Sequence, residues 1–232
     1  LNPKLGLAHP INETIFPMKK IYIPLLAVVA LFVSGCYWPG IRGNGHVVTD
    51  QRTVTDFSDI KADGAFRIEW HSGPPSLSVT TDDNLLRYIN QTIEGKTLHL
   101  RSHDQLSPTQ HIQVLITSPT FTGASMSGAV RLTATQISCP KFYLQTAGAA
   151  RVTLDGTADA LLADMSGAAR LNAENLHTKT ADITSSGAAR AEVYATEALR
   201  VSISGAGKVI YYGHPPKVEK HVSGAGSINP GD

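Results

Sequence analysis

A six-residue unit recurs six times at nearly constant spacing in the second half of this 232-residue chain. The units are Ser127-Gly128-Ala129-Val130-Arg131-Leu132, Ala147-Gly148-Ala149-Ala150-Arg151-Val152, Ser166-Gly167-Ala168-Ala169-Arg170-Leu171, Ser186-Gly187-Ala188-Ala189-Arg190-Ala191, Ser204-Gly205-Ala206-Gly207-Lys208-Val209 and Ser223-Gly224-Ala225-Gly226-Ser227-Ile228. The glycines stand at 128, 148, 167, 187, 205 and 224, so the intervals are 20, 19, 20, 18 and 19 residues. A period this short excludes a propeller blade, which needs about 40–45 residues. It also leaves no room for a strand, a helix and a return. It fits one coil of a parallel β-solenoid (a β-helix), in which successive coils lie about 4.8 Å apart and equivalent residues form columns.

Between the glycines the hydrophobic period is two. The fourth and sixth residues after each glycine are Leu132/Ala134, Val152/Leu154, Leu171/Ala173, Ala191/Val193 and Val209/Tyr211. The third and fifth are mostly polar: Arg131/Thr133, Arg151/Thr153, Arg170/Asn172, Arg190/Glu192 and Lys208/Ile210. Strict alternation marks a half-buried strand. Gly128, Gly148, Gly167, Gly187, Gly205 and Gly224 are then the corners, where a residue without Cβ permits a sharp turn and close stacking. One coil buries about five apolar side chains, worth roughly 10 kcal/mol. Ordering its backbone costs on the order of 20–40 kcal/mol. Coils must therefore stack to fold. The expected fold class is all-β: a parallel solenoid of about six coils of 18–20 residues over 121–229.

Residues 47–120 are less regular. Phe66-Arg67-Ile68-Glu69-Trp70, Thr97-Leu98-His99-Leu100 and Ile112-Gln113-Val114-Leu115-Ile116 alternate as strands, with turns at Gly73-Pro74-Pro75 and Ser118-Pro119. Asp82-Asp83-Asn84-Leu85-Leu86 predicts one short helical turn. This β-rich part packs on or begins the solenoid. The polar stretch from His221 is expected to cap the other end, with 230–232 as a tail.

The front end carries an address. Met18-Lys19-Lys20 precedes an apolar run from Ile21 to Val33, which ends in Ser34-Gly35-Cys36. That run is shorter than the roughly 20 residues of a membrane span. A positive start, a short apolar middle and small residues before a cysteine resemble a bacterial lipoprotein signal over 18–35. The resemblance implies cleavage after Gly35 and lipid on Cys36, hence attachment to a membrane. A plain signal peptide or an anchor helix with an incidental cysteine are the other readings. Lipoprotein sorting further implies the outer membrane, because Tyr37 rather than Asp follows the cysteine. Residues 1–17 read as an upstream extension, and Gly- and Pro-rich 36–46 as a flexible tether.

Composition narrows the partner. The chain carries 20 basic and 19 acidic residues, net +1. From Cys36 onward these become 17 and 18, because Lys4, Lys19, Lys20 and Glu13 are lost. Such a balance excludes bulk electrostatic binding of nucleic acid. With Cys36 lipidated, Cys139 has no partner and reads as core filler.

The candidate ligand row is Arg131, Arg151, Arg170, Arg190 and Lys208, each three residues after a corner glycine. A linear array of forked guanidinium groups suits carboxylates or phosphates on an extended anionic partner. Internal neutralisation by Asp155, Glu174 and Glu192 is the simpler reading. Tyr194 and Tyr212 are expected in one column with Asp155 and Glu174. That column would also put two carboxylates on adjacent coils, the separation a retaining glycosidase uses. His99 and His103 lack a helical context for zinc, so no metal or cofactor is expected. Gly205-Ala206-Gly207 and Gly224-Ala225-Gly226 lack the βαβ setting of nucleotide loops. No serine-nucleophile elbow occurs.

The order Asp56-Phe57-Ser58-Asp59-Ile60, Gly64-Ala65-Phe66-Arg67-Ile68, Asp82-Asp83-Asn84-Leu85-Leu86, Gly95-Lys96-Thr97-Leu98, Ile112-Gln113-Val114 and then the serial corners resembles the head GIN domain of putative auto-transporter adhesins. The likeness spans about 47–213. It implies a β-helix, an exported setting and no catalysis. The expected function is an envelope binding module facing a surface glycan or an envelope protein. A polysaccharide-cleaving β-helix enzyme and a purely structural envelope protein are the alternatives.

Overall fold

The computed structural model describes residues 40–231. Seventeen strands follow in chain order: β1 (Ile41–Arg42), β2 (Val47–Arg52), β3 (Asp59–Gly64), β4 (Phe66–Ser72), β5 (Ser76–Asp82), β6 (Ile89–Glu94), β7 (Thr97–Ser102), β8 (Leu106–Ser107), β9 (Ile112–Ser118), β10 (Gly123–Gly128), β11 (Arg131–Gly148), β12 (Arg151–Gly167), β13 (Arg170–Gly187), β14 (Arg190–Gly205), β15 (Lys208–Tyr212), β16 (Lys217–Gly224) and β17 (Ser227–Pro230). A 3₁₀ helix over Asp83–Tyr88 supplies the expected helical turn. The fold is all-β, a parallel β-solenoid of about five turns.

Each of β11 to β14 is one coil, paired in parallel with the next. The corner glycines stack directly: Gly128 on Gly148, Gly167, Gly187, Gly205 and Gly224. At Gly167 φ is +90°, and a Cβ there would stand 2.6 Å from the Gly148 carbonyl oxygen. That oxygen is already used, since the Ala168 N–H donates to it at 2.9 Å. The ladder thus continues through the corner, which only glycine allows.

Inward residues form aliphatic columns. Ile68, Leu132, Val152, Leu171, Ala191 and Val209 make one, all buried. Bulges absorb the uneven repeat spacing. Between β13 and β14 the pairing passes from Ala173↔Val193 to His177↔Tyr194, so β13 holds three extra residues there. One residue is returned between Thr178 and Thr180, which accounts for the 18-residue interval.

The N-terminal part both begins and closes the stack. β3 and β4 form the rung below β10 and β11, with Gly64 under Gly128 and Arg67 under Arg131. The chain then departs over residues 73–122 before resuming the solenoid at β10, which puts equivalent corners 64 residues apart (128 − 64). In that excursion β7 pairs in parallel with β3, and β9 with β4. Antiparallel β6, β5 and β2 then cover those edges. Trp70 stacks on Phe121 at 4.9 Å, and Phe121 meets Phe142 edge-on at 5.1 Å. These three rings join the cap to the coils. The Trp70 indole N–H donates to Ser118 Oγ at 2.8 Å, which satisfies its buried donor.

At the other end a charge takes the inward register position on the exposed terminal rung. Lys220 occupies the inward position above Val201, Ile183, Ala163 and Leu144. Its ammonium donates to the Ile228 carbonyl at 3.2 Å and lies 4.9 Å over the Tyr211 ring. An inward charge on a terminal strand disfavours further strand addition.

The tether read over 36–46 is already fastened from Gly40 onward. The Ile41 N–H donates to the Gln105 carbonyl at 2.8 Å, and β1 pairs with β8. Fully buried Asp82 accepts from Gly45 N at 2.7 Å, Thr109 N at 2.9 Å and Thr109 Oγ1 at 2.7 Å. Local Gly and Pro content could not reveal an anchor supplied from 37 residues downstream (82 − 45). The signal segment 18–35 and Cys36 lie outside the described residues. Cys139 is half-buried against the core, and burial pushes its thiol pKa up.

Candidate functional site

Strand pairing stacks the basic residues in one column. Arg131 pairs with Arg151, Arg151 with Arg170, Arg170 with Arg190, and Arg190 with Lys208. Ser227 closes the series above Lys208. Arg67 extends it below Arg131, so six cations stand in register. At about 4.8 Å per rung the row runs roughly 24 Å. The sequence does carry Arg67 in a matching unit, Asp63-Gly64-Ala65-Phe66-Arg67-Ile68. The 64-residue interval between this unit and the next hides it from a search at constant period.

Arg67 is the second residue of β4, and from Arg131 to Lys208 each basic residue opens a strand directly after the corner. Its backbone is fixed by the rung below: Arg151 N donates to the Val130 carbonyl, and Arg170 N to that of Ala150, both at 2.8 Å. The flanking residues Val130, Ala150 and Ala169 are buried, which turns the charged side chains outward. Beside them run the exposed alanines Ala129, Ala149, Ala168 and Ala188. These alanines and Arg131, Arg151, Arg170 and Arg190 line a groove of about 310 Å³. A second hollow of about 210 Å³ shares Ala129 and Arg131 and adds Ala65, Arg67 and His111. The groove therefore follows the row onto the N-terminal rung.

Among the described residues, neutralisation of the row is confined to one rung. Arg190 donates through Nε and Nη2 to Glu192 Oε1, at 3.1 and 2.8 Å. Among the described residues the side chains of Arg67, Arg131, Arg151, Arg170 and Lys208 make no ion pair or hydrogen bond. Asp155 and Glu174 do not reach their expected partners. Pairing passes from Thr153↔Asn172 to Gly156↔Leu176, so both acids sit where the register shifts by one residue. For the same reason the column expected for Asp155, Glu174, Tyr194 and Tyr212 does not form. Tyr194 stands on His177 at a ring separation of 4.5 Å, with Tyr212 above it. The carboxylate pair required by the glycosidase alternative is thereby displaced from ladder pairing.

Stacked cations repel. Neighbours 4.8 Å apart cost about 0.9 kcal/mol each in water, less in salt. A row held against that repulsion gains from any partner that brings anionic groups at matching intervals.

The histidines show a different picture. His103 meets Asn90 Nδ2 through Nε2 at 2.6 Å, and His99 lies 3.8 Å from Glu94. Among the described residues no group of three potential metal ligands occurs.

The family model for the putative auto-transporter adhesin head GIN domain matches residues 56–215. The chain belongs to this family. Two solved structures share the GIN-domain fold. A putative adhesin from Bacteroides fragilis aligns at 22% identity over 82% of this chain and 100% of its own, with a TM-score of 0.69. One from Parabacteroides merdae aligns at 17% identity over 83% and 99%, with a TM-score of 0.52. No curated protein matches. The matched stretch of the GIN domain contains the whole basic row. Among the described residues no helix is long and apolar enough to cross a membrane.

Proposed function

We propose that this protein is a lipid-anchored, non-catalytic binding module of the bacterial cell envelope, and that its arginine-lined corner groove holds an extended polyanion. The observation that carries the reading is the row itself: six cations in ladder register, of which, among the described residues, Arg190 alone has a carboxylate partner. A repeated face suits a repeated ligand. Guanidinium forks bind carboxylate or phosphate through two parallel hydrogen bonds, while the alanine floor admits the polymer backbone. Membership of a family described as putative adhesins supports a surface-facing, non-enzymatic role. The signal over 18–35 supports lipid on Cys36, and Tyr37 in place of Asp after that cysteine supports an outer-membrane address.

The test is binding of the purified full chain to polygalacturonate. The reading predicts that R131A/R151A/R170A loses at least ten-fold in affinity while keeping its melting temperature. Equal binding by the two proteins overturns it. For the anchor, mass spectrometry of envelope-extracted protein is expected to find diacylglycerol on an N-terminal Cys36, abolished by Cys36→Ser.

A further inference from the structure

Across the glycine corner, the outward face of β10 to β13 departs from its own pattern. Its outward columns are mostly small or polar; Ser127, Ala147, Ser166 and Ser186 form one of them. Tyr143 and Leu162 break that rule. They are ladder partners on adjacent coils, and Tyr143 is 50% exposed. Below Tyr143 in the same column stands Gly123, and above Leu162 stands Asp182. Lys141 places its ammonium 4.7 Å from the centre of the Tyr143 ring and so steadies it. Around this apolar pair lies a groove of about 730 Å³, whose polar rim includes Gln145, Asp164, Asp182 and Lys61. That volume falls in the range of small-ligand sites, about 300–1,000 Å³. The carboxylates of Asp164 and Asp182 have no hydrogen bond or ion pair among the described residues, so their acceptor capacity is unused.

We propose that this groove binds the pyranose rings of a neutral oligosaccharide or polysaccharide. A pyranose has an apolar C–H face and a rim of hydroxyl donors. Tyr143 and Leu162 present an apolar platform of adjoining side chains, the part of the site that gains from excluding water. Asp164, Asp182 and Gln145 supply acceptors for the hydroxyls, and hydrogen bonds to a charged acceptor are the stronger kind. Unpaired carboxylates repel the polyanion proposed for the corner row. The site is thus separate from the arginine row in place and in ligand charge, and stands or falls independently of it.

Calorimetric titration of the full chain with β-1,4-linked hexaoses of glucose, mannose, xylose and N-acetylglucosamine tests this. At least one hexaose is expected to bind. Tyr143→Ala is expected to weaken that binding ten-fold or more, Tyr143→Phe to keep most of it, and Asp164→Asn to weaken it several-fold. Arg151→Ala is expected to leave it unchanged. Failure of all four sugars to bind overturns the proposal. So does unchanged binding by Tyr143→Ala, or a loss in Arg151→Ala as large as that in Tyr143→Ala.

Discussion

Arg131 stands directly on Arg67, although 64 residues of chain separate them (131 − 67). That pairing makes the N-terminal part the first rung of the solenoid and the lowest member of the basic row. Arg67→Ala is therefore expected to weaken polyanion binding and flatten its salt dependence, as removal of any single unpaired row member does. Titration with polygalacturonate at two ionic strengths checks this. An unchanged salt dependence would separate Arg67 from the row.

Corner geometry makes a stability prediction. Gly167→Ala places a methyl group against the Gly148 carbonyl at a backbone angle hostile to L residues. A loss of about 1–3 kcal/mol or more is expected. Ala168→Gly, one residue on, lacks the clash and should cost much less. Chemical denaturation of both variants compares them.

Asp82 predicts an acid-sensitive latch. Burial alone would raise its pKa, but donation from the Thr109 N–H and hydroxyl and the Gly45 N–H outweighs this and holds it below the ordinary carboxylate value. A folded-state pKa below the unfolded one contributes stability above the unfolded value, about 3.9. That contribution is lost as pH falls through the folded value. Asp82→Ala is expected to cost roughly 1.5–3 kcal/mol at neutral pH, and the gap from the native chain to narrow below about pH 4. Denaturation midpoints at pH 7 and pH 3 measure the gap; a constant difference would remove the titration from the account.

Among the described residues three buried hydroxyls lack hydrogen-bond partners, those of Thr81, Thr146 and Ser185. Thr146 and Ser185 face one inward column, alternating with Met126, Met165 and Ile203, and both oxygens are buried without a hydrogen bond. Thr146→Val keeps the shape and removes the unsatisfied group, so a gain of about 1 kcal/mol is expected. Thermal unfolding checks the sign.

The end cap is open to the same treatment. Lys220→Val completes the aliphatic column at the terminal rung and removes the charge that guards it. End-to-end association of the variant is expected in size-exclusion chromatography at concentrations where the native chain does not associate.

What could be read beforehand was whatever repeats. Corner glycines, inward columns and the row from Arg131 to Lys208 recur every 18–20 residues, and stacking turns period into position. Arg67 carried the same local signature but lay outside the period. The bulges that separate Asp155 from Glu174 and set Tyr194 on His177 depend on one to three inserted residues, which alternation alone does not register. Asp82 and Lys220 work through partners distant in sequence or through the end of a stack. Neither leaves a mark in local composition.

The row is tested most directly by the length dependence of oligogalacturonate affinity. Binding should strengthen with chain length until the ligand spans the roughly 24 Å of stacked cations, then level off, and Arg67→Ala should level off at a shorter length. Affinity that ignores ligand length, or a plateau that R131A/R151A/R170A leaves in place, would contradict it.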